Sequence, residues 1–136
     1  MVIKMFNKDK FKDYINRLKL NKDDFIIVAG GSLLLQDIKD FTEDVDLYVN
    51  KNGFDILSKL FVIRPSGKEY GNHFTVNDHL EIVLKDNLDE MKYILIDGYK
   101  CTTLEYEYEW KKKHNRPKDQ EIIKKMEMQL RKDDNL

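Results

Sequence analysis

The sequence predicts an α+β fold, a small mixed β-sheet with helices packed against it. Three observations point there. Short apolar runs of strand length alternate with segments whose apolar residues recur every three to four positions. Two turn signals, Asn77-Asp78 and Asp97-Gly98, sit between apolar runs and mark hairpins. From Thr103 onward the pattern becomes helical and stays so.

Taken in order, residues 8–20 carry Phe11, Tyr14, Ile15, Leu18 and Leu20, mostly three or four apart, which predicts an amphipathic helix. Residues 21–24 form a polar turn. Residues 25–29 are an unbroken apolar run, the first strand, and end on Gly30-Gly31-Ser32. A short helix is expected over 33–40, with Ser32 as its N-cap. The second strand covers 45–49, and a turn over 50–53 leads to a helix over 54–61. Residues 64–73 contain Pro65, Gly67 and Gly71 and predict a loop. Strands are expected at 74–76 and 80–84, then at 93–96 and 99–102 around Asp97-Gly98. Thr103 is the expected N-cap of a helix to about His114, and Pro117 starts a second one to about Arg131. The tail from Lys132 is expected to fray.

A length of 136 residues predicts a single domain spanning 1–136. Charges balance, with 24 basic against 25 acidic residues and a net charge of −1, so the composition makes no general case for nucleic-acid binding. A hydrophobic fraction of 41% with 11% aromatic supports a core and argues against disorder. The lone cysteine, Cys101, rules out an internal disulfide, suits a reducing compartment and is expected to be a buried spectator. The N-terminus is too charged for a signal peptide, and no apolar run approaches the roughly 20 residues of a membrane span. The expected location is cytoplasmic, with no membrane partner.

The residues that carry chemistry cluster early. Asp44 and Asp46 are one residue apart in an apolar run, and residues i and i+2 of a strand share a face. Two neighbouring carboxylates repel and raise each other's pKa unless a cation lies between them. Mg²⁺, which prefers oxygen ligands and works with substrate phosphates, is the cation this chemistry favours. Ahead of them, Gly30-Gly31-Ser32 suits a phosphate: glycines allow close approach, and a helix N-terminus offers N–H groups and partial positive charge.

This arrangement resembles the nucleotidyltransferase superfamily of the DNA polymerase beta type, in particular its minimal bacterial and phage-type members. The pattern there is an apolar strand, Gly-Gly or Gly-Ser, about ten residues, then Asp-apolar-Asp-apolar. Here it stands as Gly30-Gly31-Ser32 and Asp44-Val45-Asp46-Leu47, with Thr42 also in keeping. The resemblance is strong over 25–49 and weaker beyond. It implies a nucleotidyltransferase-like core followed by two C-terminal helices. It also implies transfer of a nucleoside monophosphate from a nucleoside triphosphate, ATP by abundance, to an acceptor hydroxyl with release of pyrophosphate. Two Mg²⁺ ions would be held by Asp44, Asp46 and a third carboxylate from a later strand. Glu81, flanked by apolar residues, is the candidate for that third ligand, with Asp78 in reserve. The acceptor would be a protein side chain, an RNA end such as that of tRNA, or a small hydroxylated molecule. The alternative is a catalytically weak nucleotide- or partner-binding module of the same fold, such as a toxin–antitoxin component.

In small members of this superfamily an Arg-Pro-Lys-Asp box between two C-terminal helices follows a helix carrying a lysine. Arg116-Pro117-Lys118-Asp119 matches the box, and Lys118 is the nucleotide-binding candidate. Lys111, Lys112 and Lys113 precede it, and periodicity does not decide which faces the site. Together with Arg116 and Lys118 they also make a candidate basic patch for tRNA. The segment Tyr70-Gly71-Asn72-His73 is a further candidate for contact with the nucleotide. His73, His79 and His114 lack zinc-ligand spacing, and Tyr106, Tyr108 and Trp110 are expected to serve packing.

Overall fold

The structure is a computed structural model and describes residues 5–68 and 71–134. Among them, seven strands form one mixed sheet: β1 (Phe25–Val28), β2 (Val45–Val49), β3 (Arg64–Pro65), β4 (His73–Thr75), β5 (Leu80–Leu84), β6 (Tyr93–Ile96) and β7 (Tyr99–Thr102). Their order is β3-β4-β5-β2-β1-β7-β6. β2 runs parallel to β5 and β1 parallel to β7, while the other pairings are antiparallel. The helices are α1 (Lys8–Arg17), α2 (Ala29–Leu35), α3 (Lys51–Leu60), α4 (Leu104–His114) and α5 (Gln120–Asp134). The α+β class and the two C-terminal helices are as the sequence predicts. None of these helices is long and apolar enough to cross a membrane.

The periodicities explain the layers. β1 is buried on both faces, which is why it is an unbroken apolar run. Its Phe25 and Ile27 join Val45, Leu47, Val49, Leu80 and Ile82 in the main core, covered by Phe11 and Ile15 of α1, Leu34 and Leu35 of α2 and Leu57 of α3. Ile26 and Val28 point the other way, towards Leu88. Leu104 of α4 and Met126 of α5 pack with Leu33 and Ile38. β2 alternates, so Val45, Leu47 and Val49 are buried while Asp46 and Tyr48 face away from the main core.

Local chemistry fixes the element ends. Asn7 caps α1 by accepting from the Lys10 N–H at 2.9 Å. Thr103 caps α4 as expected, accepting from the Tyr106 N–H at 3.1 Å. Asp97 (φ 53°) and Gly98 (φ 84°) make the tight β6–β7 turn, whose geometry requires φ > 0 at both positions.

Several boundaries depart from expectation: α1 ends at Arg17, β1 at Val28, and β4 begins one residue early, at His73. α2 begins at Ala29, directly after β1, and ends at Leu35, so Gly30-Gly31-Ser32 lies inside its first turns rather than ahead of it. Ser32 is therefore not the N-cap; that position belongs to Val28, without a side-chain bond. α3 starts at Lys51 because Asn50 accepts from the Gly53 N–H at 2.9 Å. Residues 64–73 are not all loop: Arg64 and Pro65 form an edge strand opposite Thr75 and Phe74. α5 continues through Asp134, past the expected fraying point, and residues 135–136 lie outside the described ones.

Gly31 is explained by packing. It is buried where α1 meets α2, and a Cβ there would collide with the ring of Phe11. Gly31→Ala should therefore lower the denaturant midpoint by the equivalent of about 1–3 kcal/mol, the usual cost of overpacking. An unchanged midpoint in urea titration would show that Phe11 yields freely.

Candidate functional site

The face of β2 turned away from the main core opens into a cavity of about 670 Å³. The strand registers assemble its floor. Asp46 lies opposite Val28 of β1 on one side and Glu81 of β5 on the other. Thr75 and His73 of β4 continue the row opposite Glu81 and Val83. Asp44 stands just before β2, one residue outside the expected strand, and also lines the cavity. Asp44, Asp46 and Glu81 thus meet in one cavity, because the parallel pairing of β2 with β5 brings together two stretches far apart in the chain.

Electrostatics mark Asp46. Burial, then the negative charges of Glu81 and Asp44, push its carboxyl up to about 7. Burial is the main cause, and the like-charge effect that the Asp-x-Asp spacing predicts adds to it, with Glu81 a stronger neighbour than Asp44. Glu81 is held from the sheet edge. Its Oε2 accepts from Lys68 Nζ at 2.8 Å and lies 3.3 Å from His73 Nε2. Burial holds the His73 imidazole below its usual range, against the opposing pull of Glu81.

The facing wall comes from helices. Glu107 of α4 is 4% exposed, and its Oε2 accepts from the Ala29 N–H at 3.2 Å and from Thr102 Oγ1 at 2.7 Å. Ala29 has φ 55°, a left-handed conformation unusual for a residue with a Cβ, at the point where β1 turns into α2. Burial raises the Glu107 carboxyl, partly offset by these two donors. Tyr106 and Tyr48 share a hydrogen bond between their hydroxyls at 2.8 Å.

The α4–α5 junction supplies cations. Lys111 is buried and its Nζ lies 3.3 Å from Asp119, which Arg116 Nε also holds at 2.6 Å. Burial pushes the Asp119 carboxyl up, but the Arg116 bond and Lys111 outweigh it and the group ends below its ordinary value. Arg116 also stacks over the Trp110 ring, 4.8 Å from its centroid. Lys39, between α2 and β2, completes this wall. Burial, then the charge of Lys111, lowers its pKa. A Cβ at Gly30 would come within 2.5 Å of Thr42 Oγ1 and 3.6 Å of Lys39 Nζ, so Gly30 is what lets this loop lie close to α2.

The expected site residues separate into two groups. Asp44, Asp46, Glu81, Gly30 and Lys118 all line the cavity. Gly31 and Ser32 do not: Gly31 is packed against α1, and the fully buried Ser32 hydroxyl donates to the Thr102 carbonyl at 2.8 Å. That hydroxyl ties α2 to β7, which corrects the expectation that it contacts a phosphate. Of the three lysines, Lys111 faces the site, while Lys112 and Lys113 are exposed. Lys111 thus drops out of the candidate basic patch. Asp78 is an exposed turn residue, His79 packs edge-on against Phe6, and Cys101 is buried with its thiol pushed up to about 12. Tyr70 lies outside the described residues.

No family model, curated protein or solved structure matches the chain. The cavity's donor set suits a hard divalent cation: Asp44, Asp46 and Glu81 are among the six acidic residues that line the cavity, and Asp46 is poorly tolerated as an anion beside the other two. Among the described residues no three His, Cys, Asp or Glu side chains converge closely enough to hold an ion as they stand.

Sequence reasoning missed Lys39, Lys68, Glu107 and the part played by Tyr48 and Tyr106, and it reached His73 only as the end of a loop. For Glu107 there is one weak signal, an acidic residue in a helix with no clear apolar face. Lys39 and Lys68 lie outside helices and strands, where no periodicity applies.

Proposed function

We propose that this protein is a nucleotidyltransferase of the DNA polymerase beta-type superfamily, moving a nucleoside monophosphate from a nucleoside triphosphate to an acceptor hydroxyl. The observation that carries the reading is the meeting of carboxylates and cations in one cavity. Asp44, Asp46 and Glu81, at and beside β2 and β5, line the same cavity as Lys39, Lys111, Arg116 and Lys118, together with Lys68, Lys85, Glu107 and Asp119. A metal-bound triphosphate has the same two-sided demand, oxygen ligands for cations and cations for phosphate oxygens.

In this reading Asp44, Asp46 and Glu81 hold Mg²⁺, which when bound neutralises charge on the phosphates. Lys39, Lys118 and the Gly30 backbone orient the triphosphate tail. The acceptor oxygen attacks the α-phosphorus, the bond to the bridging oxygen breaks, and pyrophosphate leaves. The acceptor proton passes to a carboxylate on the Glu81 side. Positioning and charge account for most of the acceleration, as phosphoryl-type transfer generally requires. The acceptor is a protein side chain, an RNA end or a small hydroxylated molecule, and ATP is the first donor to try.

The test is incubation with Mg²⁺ and each α-labelled nucleoside triphosphate in turn, with and without cell extract, beside the Asp44→Asn/Asp46→Asn double variant. Label passing to an acceptor with the wild type alone supports the reading. Transfer undiminished in the double variant sinks it. Lys39→Met should weaken triphosphate binding about tenfold, the loss of roughly 1.4 kcal/mol, while leaving the melting temperature level or higher, since a half-buried cation beside Lys111 is removed. Calorimetry showing wild-type affinity in that variant would take Lys39 out of the site.

One observation favours a second reading, a module that binds nucleotide without turnover: the Lys68 ammonium already occupies Glu81. Mg²⁺-dependent nucleotide binding with no transfer to any acceptor would select it.

A further inference from the structure

We propose that His73, fixed by Ser66, is the positioning residue for Glu81: it holds one carboxylate oxygen and leaves the other to meet a divalent cation in the cavity. The role of that cation rests on the nucleotidyltransferase reading; the arrangement of the three side chains does not.

Three contacts define the chain of donors. The Lys68 backbone N–H donates to Ser66 Oγ at 3.2 Å, Ser66 Oγ lies 2.7 Å from His73 Nδ1, and His73 Nε2 lies 3.3 Å from Glu81 Oε2. Only one assignment of protons on a neutral ring satisfies all three. An ionised carboxylate can only accept, so Nε2 carries the hydrogen. A neutral ring then has a bare Nδ1, so the Ser66 hydroxyl donates to it, and the hydroxyl oxygen accepts from the backbone of Lys68. The two hydrogen bonds at Ser66 and the 3.3 Å contact of Nε2 with Glu81 thus run one way, from the β3–β4 loop to the carboxylate.

The Lys68 hydrogen bond and the His73 contact converge on the same Glu81 oxygen, Oε2, while Oε1 carries no hydrogen bond among the described residues. They are not equivalent. The Lys68 side chain is 47% exposed and carries a full charge that a divalent cation at Glu81 would repel. The His73 side chain is 8% exposed and, as a neutral N–H donor, keeps its place when a cation arrives. The pairing of β4 with β5 fixes the ring's origin, since His73 lies opposite Val83. Carboxylate ligands are commonly oriented by such outer hydrogen bonds, and losing one typically lowers metal affinity about 10–100-fold.

The experiment uses the full chain and the metal alone. Long-range ¹⁵N–¹H spectra at pH 8 should show His73 as the Nε2–H tautomer, and Ser66→Ala should shift it towards a mixture. Mn²⁺ titration followed by electron paramagnetic resonance should show binding weakened about tenfold or more in His73→Ala. Ser66 neither contacts Glu81 nor itself lines the cavity, yet Ser66→Ala should weaken Mn²⁺ several-fold, and His73→Gln, which keeps an N–H donor, should recover part of the loss. An Nδ1–H tautomer in the wild type, or wild-type Mn²⁺ affinity in His73→Ala, overturns the proposal. No Mn²⁺ binding by the wild type overturns both it and the metal role of Glu81. If tautomer and Mn²⁺ results hold while the wild type transfers no nucleotide, the transferase reading falls and the positioning role stands.

Discussion

Asp46→Asn will remove nucleotide transfer, by a factor of about 10³ or more, and at pH 8 the same variant will melt above the wild type. The two effects share one cause. Asp46 has an ordinary value of 3.8 that burial and its carboxylate neighbours raise to about 7. The folded state therefore holds this proton more tightly than the unfolded one. The stability it contributes is complete below about pH 4 and is lost as pH rises through about 7. At pH 8 the folded protein keeps an unwelcome anion among Glu81 and Asp44, and asparagine relieves it. A tenfold difference in proton affinity between the folded and unfolded states corresponds to about 1.4 kcal/mol. With relaxation of the open cavity, a gain on the order of 5 °C is expected. Below pH 4 the two melting curves should converge. A variant that melts lower than wild type at pH 8 would mean that Asp46 is a structural residue, and retained transfer would remove it from the chemistry.

Asp119→Ala should have the largest effect on stability. Asp119 is the carboxylate through which Lys111 and Arg116 are held together, and Lys39 adds its charge to the same region. Removing it leaves Lys111 buried without its counter-charge, which costs about 3–5 kcal/mol and roughly 10 °C in melting temperature. The double variant Lys111→Met/Asp119→Ala should regain much of that, because the stranded charge goes with its partner. If the double variant were as unstable as the single one, packing of the α4–α5 junction rather than charge would be the cause. The unfolding midpoints of the three proteins decide between these outcomes.

These two carboxylates show how far the sequence carries. Asp46 is legible because strand alternation is local: its face follows from Val45 and Leu47 on either side. The same local rules find β5, the β6–β7 hairpin and the Thr103 cap without error. Asp119 appears in the sequence only as part of a motif, because its role depends on Lys111 folding back from α4. Gly31 and Ser32 are the instructive departure. Glycines and a serine after a strand fit a phosphate turn, but here they also let α1 and β7 pack against α2, and local sequence does not separate the two uses. His73 and Lys68 reach Glu81 through the pairing of β4 with β5, and the residue types at 64–73 signal only a loop.

The parallel pairing of β1 with β7 has a consequence for how the molecule comes together. Ile27 meets Cys101, and Ser32 bonds Thr102 across 70 residues of chain. Contacts of such sequence separation are closed only after a large loss of chain entropy, and proteins rich in them fold slowly. During synthesis the residues up to β5 emerge with every sheet carboxylate of the cavity present but with one edge of β1 bare. Until β7 arrives, that edge can recruit a strand from another chain. Conditions that slow completion of the chain should therefore favour aggregation over incomplete activity.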